Sequence, residues 1–351
     1  MKEDFQSLWF EDNALHLLDQ RILPEREDVF VCRTYKDTAF AIQDMVVRGA
    51  PAIGAAAGYG YYLAAYSLKD AGTQFFPLLE ETSAVLDASR PTAVNLRWAL
   101  HRMASCAKAH KELPIPQLLE ILLQEAHRIR QEDIETNMKL SQIGAEVIPH
   151  GAGVLTHCNT GALATAGWGT ALGVIKEAHR QGKQIHVYAD ETRPRLQGAR
   201  LTAWELMKAG IPSTLIADST AAVLIRDGKI DCVILGGDRV AANGDVCNKI
   251  GTFMLSVICR QYGVPFYSAV PVSTIDFDIS SGDEIPIEER DASEVTSIAG
   301  NPIAPEGMDV FNPAFDVTPH QFVTGIITEQ GILHPPYHES IKKLKRTGDS
   351  G

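Results

Sequence analysis

Apolar positions follow two different rhythms along this chain. Before about residue 150 they recur three and four apart, the spacing of amphipathic helices. The segments TAFAIQDMVV, LLEETSAVLDAS, TAVNLRWALHRMASCAKA and the long PQLLEILLQEAHRIRQEDIETNMKLSQIGAEVI all show it. Ahead of them FVCRTY, from Phe30 to Tyr35, reads as a strand. From Gly151 onward short continuous apolar runs take over: GVLTHC, QIHVYADET, PSTLIA, DCVILGGD, PFYSAVP and FVTGIITE. Helical patterns separate them at 168–181, 197–208, 219–226 and 249–262. Unbroken apolar strands alternating with helices predict a parallel sheet covered on both faces. The expected fold is α/β. A small, mostly helical N-terminal domain with a little β-structure covers residues 1–130, a linking helix 131–150, and a Rossmann-like parallel-sheet domain 151–351.

Composition narrows the function. The chain has 351 residues and a formal net charge of -12, with 32 Lys and Arg against 44 Asp and Glu. No broad basic footprint for nucleic acid or an anionic membrane exists, so an anionic ligand must be held by a few local arginines. The start, MKEDFQSLWFEDN, is acidic and unlike a signal peptide. The most apolar stretch, APAIGAAAGYGYYLAAYSL, reads as a buried helix rather than a membrane span. Six cysteines form no CxxC pair and have no histidines at zinc-ligand spacing, which predicts reduced thiols in a cytoplasmic protein. Neither a GxGxxG fingerprint nor a Walker lysine occurs, so NAD and ATP are not expected, nor is a metal or organic cofactor.

Chemistry-bearing residues gather where the predicted strands end, the place where open α/β sheets build their sites. Cys158 closes the first strand, before a loop of Asn159, Thr160 and Gly161 and an Ala/Gly-rich helix. Gln197, Gly198 and Arg200 open a helix after the second. Asp238 follows Gly236 and Gly237 after the fourth. Asn243-Gly244 predicts a hairpin turn that returns Asn248 and Lys249 toward that strand end. In the first half, Arg48 precedes Gly49-Ala50-Pro51 at a helix start, and Arg90 precedes Pro91 and a helix starting near Thr92; an arginine beside a helix N-terminus suits an anion. His157 adjoins Cys158, but neighbours on a strand point to opposite faces, which argues against a Cys-His dyad.

RGAPAIGAAAGYG, SRPTAVNL, HCNTGALATAGWGTALGV, ETRPRLQGARLTAWEL, GGDRVAANGDVCNKIGT and FNPAFDVTP, in this order, resemble the methylthioribose-1-phosphate isomerase family. That family is related to the regulatory subunits of translation initiation factor 2B and to ribose-1,5-bisphosphate isomerase. The resemblance implies an aldose–ketose isomerase of methionine salvage, commonly a homodimer, acting on a small sugar phosphate without nucleic acid or membrane partners. It implies Cys158 and Asp238 as catalytic residues and Arg48, Gly49, Ala50, Arg90, Gln197, Asn248 and Lys249 as substrate contacts. Asp238 would be the acid that opens the sugar ring, its pKa raised by burial behind CVIL. Cys158 would either take the C2 proton or shape the site for a direct C2-to-C1 hydride shift. Another sugar 1-phosphate, such as ribose 1,5-bisphosphate or 5-deoxyribose 1-phosphate, and a non-catalytic regulatory subunit are the competing expectations.

Overall fold

The computed structural model describes residues 5–90 and 93–348. It divides into two compact units, one of Met1–Asn137 with Gly161–Gly169, the other of Met138–Thr160 with Thr170–Gly351.

The first unit opens with an antiparallel sheet of β1 (Leu8–Glu11), β2 (Ala14–Leu18) and β3 (Val29–Cys32). The sequence pattern predicted only the last of these. The missed hairpin turns through Asp12 and Asn13, with φ of 50° and 56°. Two consecutive left-handed residues match the right-handed twist of the flanking strands, and Asp and Asn tolerate that conformation. Helix α1 (Tyr35–Gln43) is started by a capping box, in which Thr34 accepts from the Asp37 N–H and Asp37 accepts from the Thr34 N–H. Helix α2 (Ala50–Ser67), made of small and aromatic residues, is buried along almost its whole length. Around it pack α3 (Phe75–Ala88), α4 (Val94–Ala109) and the first part of α5 (Ile115–Ala145). The expected helix start near Thr92 lies outside the described residues. The long periodic stretch forms one helix, α5, ending at Ala145, and its second half falls in the range expected to link the two domains, 131–150.

The second unit is built on a sheet of seven strands. Its elements run β4 (Gly153–Thr156), α6 (Ala171–Arg180), β5 (His186–Asp190), α7 (Ala203–Lys208), β6 (Ser213–Ile216), α8 (Thr220–Arg226) and β7 (Cys232–Leu235). A hairpin of β8 (Arg239–Ala241) and β9 (Val246–Lys249) follows, then α9 (Thr252–Tyr262), β10 (Phe266–Ala269) and β11 (Ile275–Asp276). The chain closes with α10 (Ser293–Thr296), β12 (Ser297–Ile298), β13 (Asn301–Pro302), β14 (Phe315–Thr318), β15 (Gly325–Thr328), β16 (Gly331–Leu333) and α11 (Tyr337–Gly348). All six apolar runs become parallel strands, in the order β15-β10-β7-β4-β5-β6, and β16 adds antiparallel to β15. Alternate residues serve opposite faces: in β7, Val233 and Leu235 join one core and Cys232 and Ile234 the other. Burial of both faces is why these strands read as unbroken apolar runs.

A second sheet, β11-β8-β9-β14, was not anticipated, because its strands are short and polar. The hairpin around Asn243-Gly244 was. Its strands pair antiparallel, Arg239 opposite Cys247, and Gly244 takes φ of 91°. Lys249, expected to open a helix, ends strand β9 instead; α9 begins at Thr252, after Gly251 at φ of 103°.

Candidate active site

Numbered within the parallel set, the strands run 3-2-1-4-5-6, the doubly wound order whose two halves diverge between strands 1 and 4. Those two are β4 and β7, paired directly through Leu155 and Val233. In doubly wound folds ligands bind past the carboxyl ends of these two strands. Cys158 lies just past the end of β4 and Asp238 just past the end of β7. The two loops touch: a Cβ on Gly236 would come within 2.7 Å of the Thr160 methyl carbon. Glycine at 236 is what lets them approach.

Cys158 is held in the left-handed region, with φ of 63°. Its N–H donates to the Thr192 hydroxyl at 2.8 Å, and its carbonyl accepts from the Thr202 hydroxyl at 2.5 Å. Both flanking side chains are buried on carboxylates. His157 faces Asp190 at 2.8 Å, and the Asn159 amide donates to Glu205 at 2.8 Å. Thr192, the partner of Cys158, also stands at a positive φ, 63°. A left-handed β-branched residue costs on the order of 1–3 kcal/mol and persists only where its surroundings impose it, a condition concentrated at functional sites. Gly198 to Thr202, which carries the Thr202 hydroxyl, is a single π-helical turn leading into α7. Such turns are frequent at functional sites. Residues 162–169, expected to begin an Ala/Gly-rich helix after the loop at 159–161, are non-helical, and α6 starts only at Ala171.

Three other predicted residues of this unit are buried. Gln197 precedes the π-turn, and its Oε1 has no hydrogen-bond partner among the described residues. Asn248 donates its amide to the Thr252 hydroxyl at 3.0 Å. The Lys249 ammonium donates to the Ala314 carbonyl at 2.8 Å and sits 4.4 Å from the centre of the Phe315 ring. Asp238 departs from expectation, for its side chain is exposed rather than enclosed by apolar residues. The apolar CVIL run faces the two sheet cores and stops at Leu235.

In the N-terminal unit, Arg48 and Arg90 are half-buried. Gly49 and Ala50 form the entry to α2, with Pro51 in its first turn. Gly49 has φ of 93°, and a Cβ there would lie 2.2 Å from the Ala164 carbonyl oxygen. Side-chain-free backbone is therefore required where Arg48 leads into the helix.

The model of the Initiation factor 2 subunit family matches residues 46–335. The chain belongs to that family. Among its relatives is the methylthioribose-1-phosphate isomerase of Thermoanaerobacter sp. (strain X514), 61% identical over 98% of this chain and all of the relative. The protein of that name from Pelotomaculum thermopropionicum is 54% identical over 95% of this chain and 92% of its own length. Two solved structures extend the likeness. The 5-methylthioribose 1-phosphate isomerase of Pyrococcus horikoshii OT3 superposes with a TM-score of 0.94 at 44% identity, covering 97% of this chain and 96% of its own. A chain titled translation initiation factor eIF-2B, subunit delta, from A. fulgidus gives 0.90 at 42%, covering 97% of this chain and 99% of its own.

In this family member, sequence reasoning missed the residues that hold Cys158: Thr192, Thr202, Asp190, Glu205 and the contact of His157 with Asp190. Polar side chains within otherwise apolar strand ends were the available signal. His157, Asp190 and Asp218 offer donor atoms within 4.8 Å of one another, a metal-like grouping. The protein's own hydrogen bonds engage each of the three residues, while the second Asp190 carboxylate oxygen has no partner among the described residues. Asp218 accepts from the backbone N–H groups of Thr192 and Arg193, and both His157 ring nitrogens face oxygen partners. The group reads as an ion-pair network rather than a cation site. Burial lowers the His157 pKa, but the hydrogen bond and charge of Asp190, with Cys158 and Asp218, outweigh it and raise it to about 9.

Proposed function

We propose that this chain isomerises 5-methylthioribose 1-phosphate to 5-methylthioribulose 1-phosphate, working as a cytoplasmic homodimer. The observation that carries the reading is the placing of Cys158 and Asp238 on the two sides of the sheet's divergence. Relatives bearing the isomerase name along their whole length supply the substrate. Fold alone would not, because the same fold carries a translation-factor title at 42% identity. A regulatory scaffold has no use for a left-handed cysteine pinned by two threonine hydroxyls, which favours the enzyme.

The phosphate on C1 locks the sugar as a cyclic acetal. Asp238 donates a proton to the ring oxygen, the C1–O4 bond breaks, and C1 becomes an oxocarbenium centre still bearing its phosphate. Hydrogen then moves from C2 to C1. In one route the Cys158 thiolate removes the C2 proton, the resulting enol phosphate takes that proton back at C1 from the thiol, and the C2 hydroxyl gives its proton to the carboxylate of Asp238. In the other the C2 hydride passes directly to C1 while the carboxylate of Asp238 recovers a proton from the C2 hydroxyl. Both end with a C2 ketone and return Asp238 to its starting form. Since Asp238 is exposed, the acid role requires bound substrate to exclude water from it and so raise its pKa. Arg48, Arg90 and Lys249 bind phosphate through charge, with the Gly49–Ala50 backbone beside it. Gln197 and Asn248 take sugar hydroxyls, for which the open Gln197 oxygen is a ready acceptor.

The test is turnover by the purified chain of 5-methylthioribose 1-phosphate, ribose 1,5-bisphosphate and 5-deoxyribose 1-phosphate, using C2-deuterated sugar. Preference for the methylthio sugar is expected. Deuterium kept at C1 would favour the hydride route and washout the Cys158 base. A folded protein inactive on all three would return the reading to a regulatory subunit.

A further inference from the structure

The catalytic reading uses Cys158, yet the most elaborate arrangement in the second unit surrounds its neighbour. His157 is 1% exposed. Its Nδ1 lies 2.8 Å from an Asp190 carboxylate oxygen and its Nε2 lies 2.9 Å from the Ile250 carbonyl. The Ile250 carbonyl can only accept, so Nε2 carries hydrogen; with Asp190 ionised Nδ1 donates as well, and the ring is then an imidazolium. A neutral ring would turn a lone pair toward one of these oxygens, or require Asp190 to hold the proton. Burial raises the Asp190 pKa, while the hydrogen bond and charge of His157 pull it partly back down, and the carboxylates around the ring favour the ion pair. Asp190 on β5, Asp218 after β6 and Asp316 on β14 all act on or feel the charge of His157, with Cys158 beside it on its own segment. Gly251 closes the remaining side, where a Cβ would lie 3.0 Å from the ring.

The two bonds run to informative places. Asp190 ends β5, next to the loop whose Thr192 hydroxyl holds the Cys158 N–H. Ile250 directly follows Asn248 and Lys249. Asp316 accepts from the N–H groups of Gly251 and Phe253 and so fixes the same turn from its far side.

We propose that His157 is a positioning residue: as a buried imidazolium donating from both ring nitrogens, it ties the Cys158 loop to the turn that presents Asn248 and Lys249. It touches no substrate and exchanges no proton during turnover. Its part is to keep the cysteine and the sugar-binding pair in one fixed relation, since misplacement by about 1 Å can cost on the order of 100-fold in rate. The idea rests on the isomerase reading for its kinetic consequences but not for its structural ones.

Three measurements on the full-length protein test it. The first is NMR of ring-15N-histidine-labelled wild type at pH 7.5. One histidine with both ring N–H protons slowly exchanging is expected, and a buried neutral tautomer would overturn the proposal. The second is His157→Gln, which can replace only one of the two bonds. A fall in kcat of about 100-fold with KM less affected is expected, together with a changed rate of iodoacetamide labelling at Cys158, read by peptide mass. Wild-type kcat and labelling rate would sink it. The third guards against a variant that fails to fold. Asp190→Asn keeps an acceptor but removes the counter-charge, so the ring should lose its proton at lower pH. The alkaline limb of kcat should then lie at lower pH than in wild type, and an unmoved limb counts against the proposal. If the wild type itself does not isomerise the methylthio sugar, the functional reading fails, while the NMR and labelling results still decide the role of His157.

Discussion

The main-chain N–H of Cys158 donates to the side-chain hydroxyl of Thr192 at 2.8 Å, and both residues stand at φ of 63°. Two left-handed, non-glycine residues thus hold each other at the ends of adjacent parallel strands. The Thr192 hydroxyl in turn donates to the Asp190 carbonyl at 3.1 Å. One oxygen therefore links the Cys158 backbone to the end of β5.

Thr192→Val keeps the shape and removes that oxygen. It leaves the Cys158 N–H without its acceptor, which costs about 1–3 kcal/mol for a buried group. Thermal denaturation should show a lowered Tm, and kcat should fall more than KM changes. Thr192→Ser should recover most of both. If Thr192→Val matches wild type in rate and Tm, the hydroxyl does not hold the cysteine.

Cys158→Ser and Asp238→Asn test the assigned chemistry more directly. Removing a group that transfers a proton typically costs about 100- to 10,000-fold. Each variant should lose at least about that lower factor in kcat while Tm stays close to wild type, since Cys158 is held through its backbone and Asp238 is exposed. A near-normal rate for Asp238→Asn would remove it as the ring-opening acid.

How far this site could be read from sequence depended on which residues faced an apolar core. The six parallel strands were legible because both faces are buried, so Cys158 and Asp238 could be placed at strand ends. The hairpin returning Asn248 and Lys249 was legible through Asn243-Gly244. The supports of Cys158 were not, because Thr192, Thr202 and Glu205 look like ordinary polar residues until distant segments meet. The exposure of Asp238 was misread for a related reason. Apolar residues before a strand end report the sheet's cores, not what lies beyond them. The loop at 162–169 reads as a helix from sequence because its alanines and glycines suit a buried turn as well as a helix.

Stability should depend on pH in three separate windows. Burial raises Asp133 and Asp316 to about 6, against about 4 when unfolded. The folded state then holds their protons longer, so stability falls as pH climbs from about 4 to 6. For His157, raised to about 9 against about 6.5 unfolded, the contribution is full below about 6.5 and is lost as pH rises through 9. Burial pushes the thiols of Cys32, Cys232, Cys247 and Cys259 up to about 12, and their loss begins above about 8.5. Between pH 7 and 8.5 the histidine is the group with a stated shift whose contribution changes most. Tm should decline across that interval in wild type and stay flat in His157→Gln. Equal slopes in the two proteins would show that the ring's charge does not differ between folded and unfolded states.

Gly49→Ala separates steric need from backbone strain in the N-terminal unit. At φ of 93° any side chain is strained, which by itself costs about 1–2 kcal/mol. The added Cβ would also lie 2.2 Å from the Ala164 oxygen and 2.5 Å from its Cα, both backbone atoms that cannot rotate away. One of the two chain segments must move, and with it the first turn of α2, where the Ala52 N–H meets the same oxygen at 3.4 Å. Gly72→Ala is the matched control, at φ of 57° with nothing within 4 Å of the new atom. Gly72→Ala should lower stability by about 1 kcal/mol, and Gly49→Ala by about 3 kcal/mol or more. In the isomerase assay the control should keep its KM, whereas Gly49→Ala should raise it by shifting Arg48 and the helix entry. Equal losses in the two variants would mean that strain alone, and not the close approach of residue 164, sets the glycine at position 49.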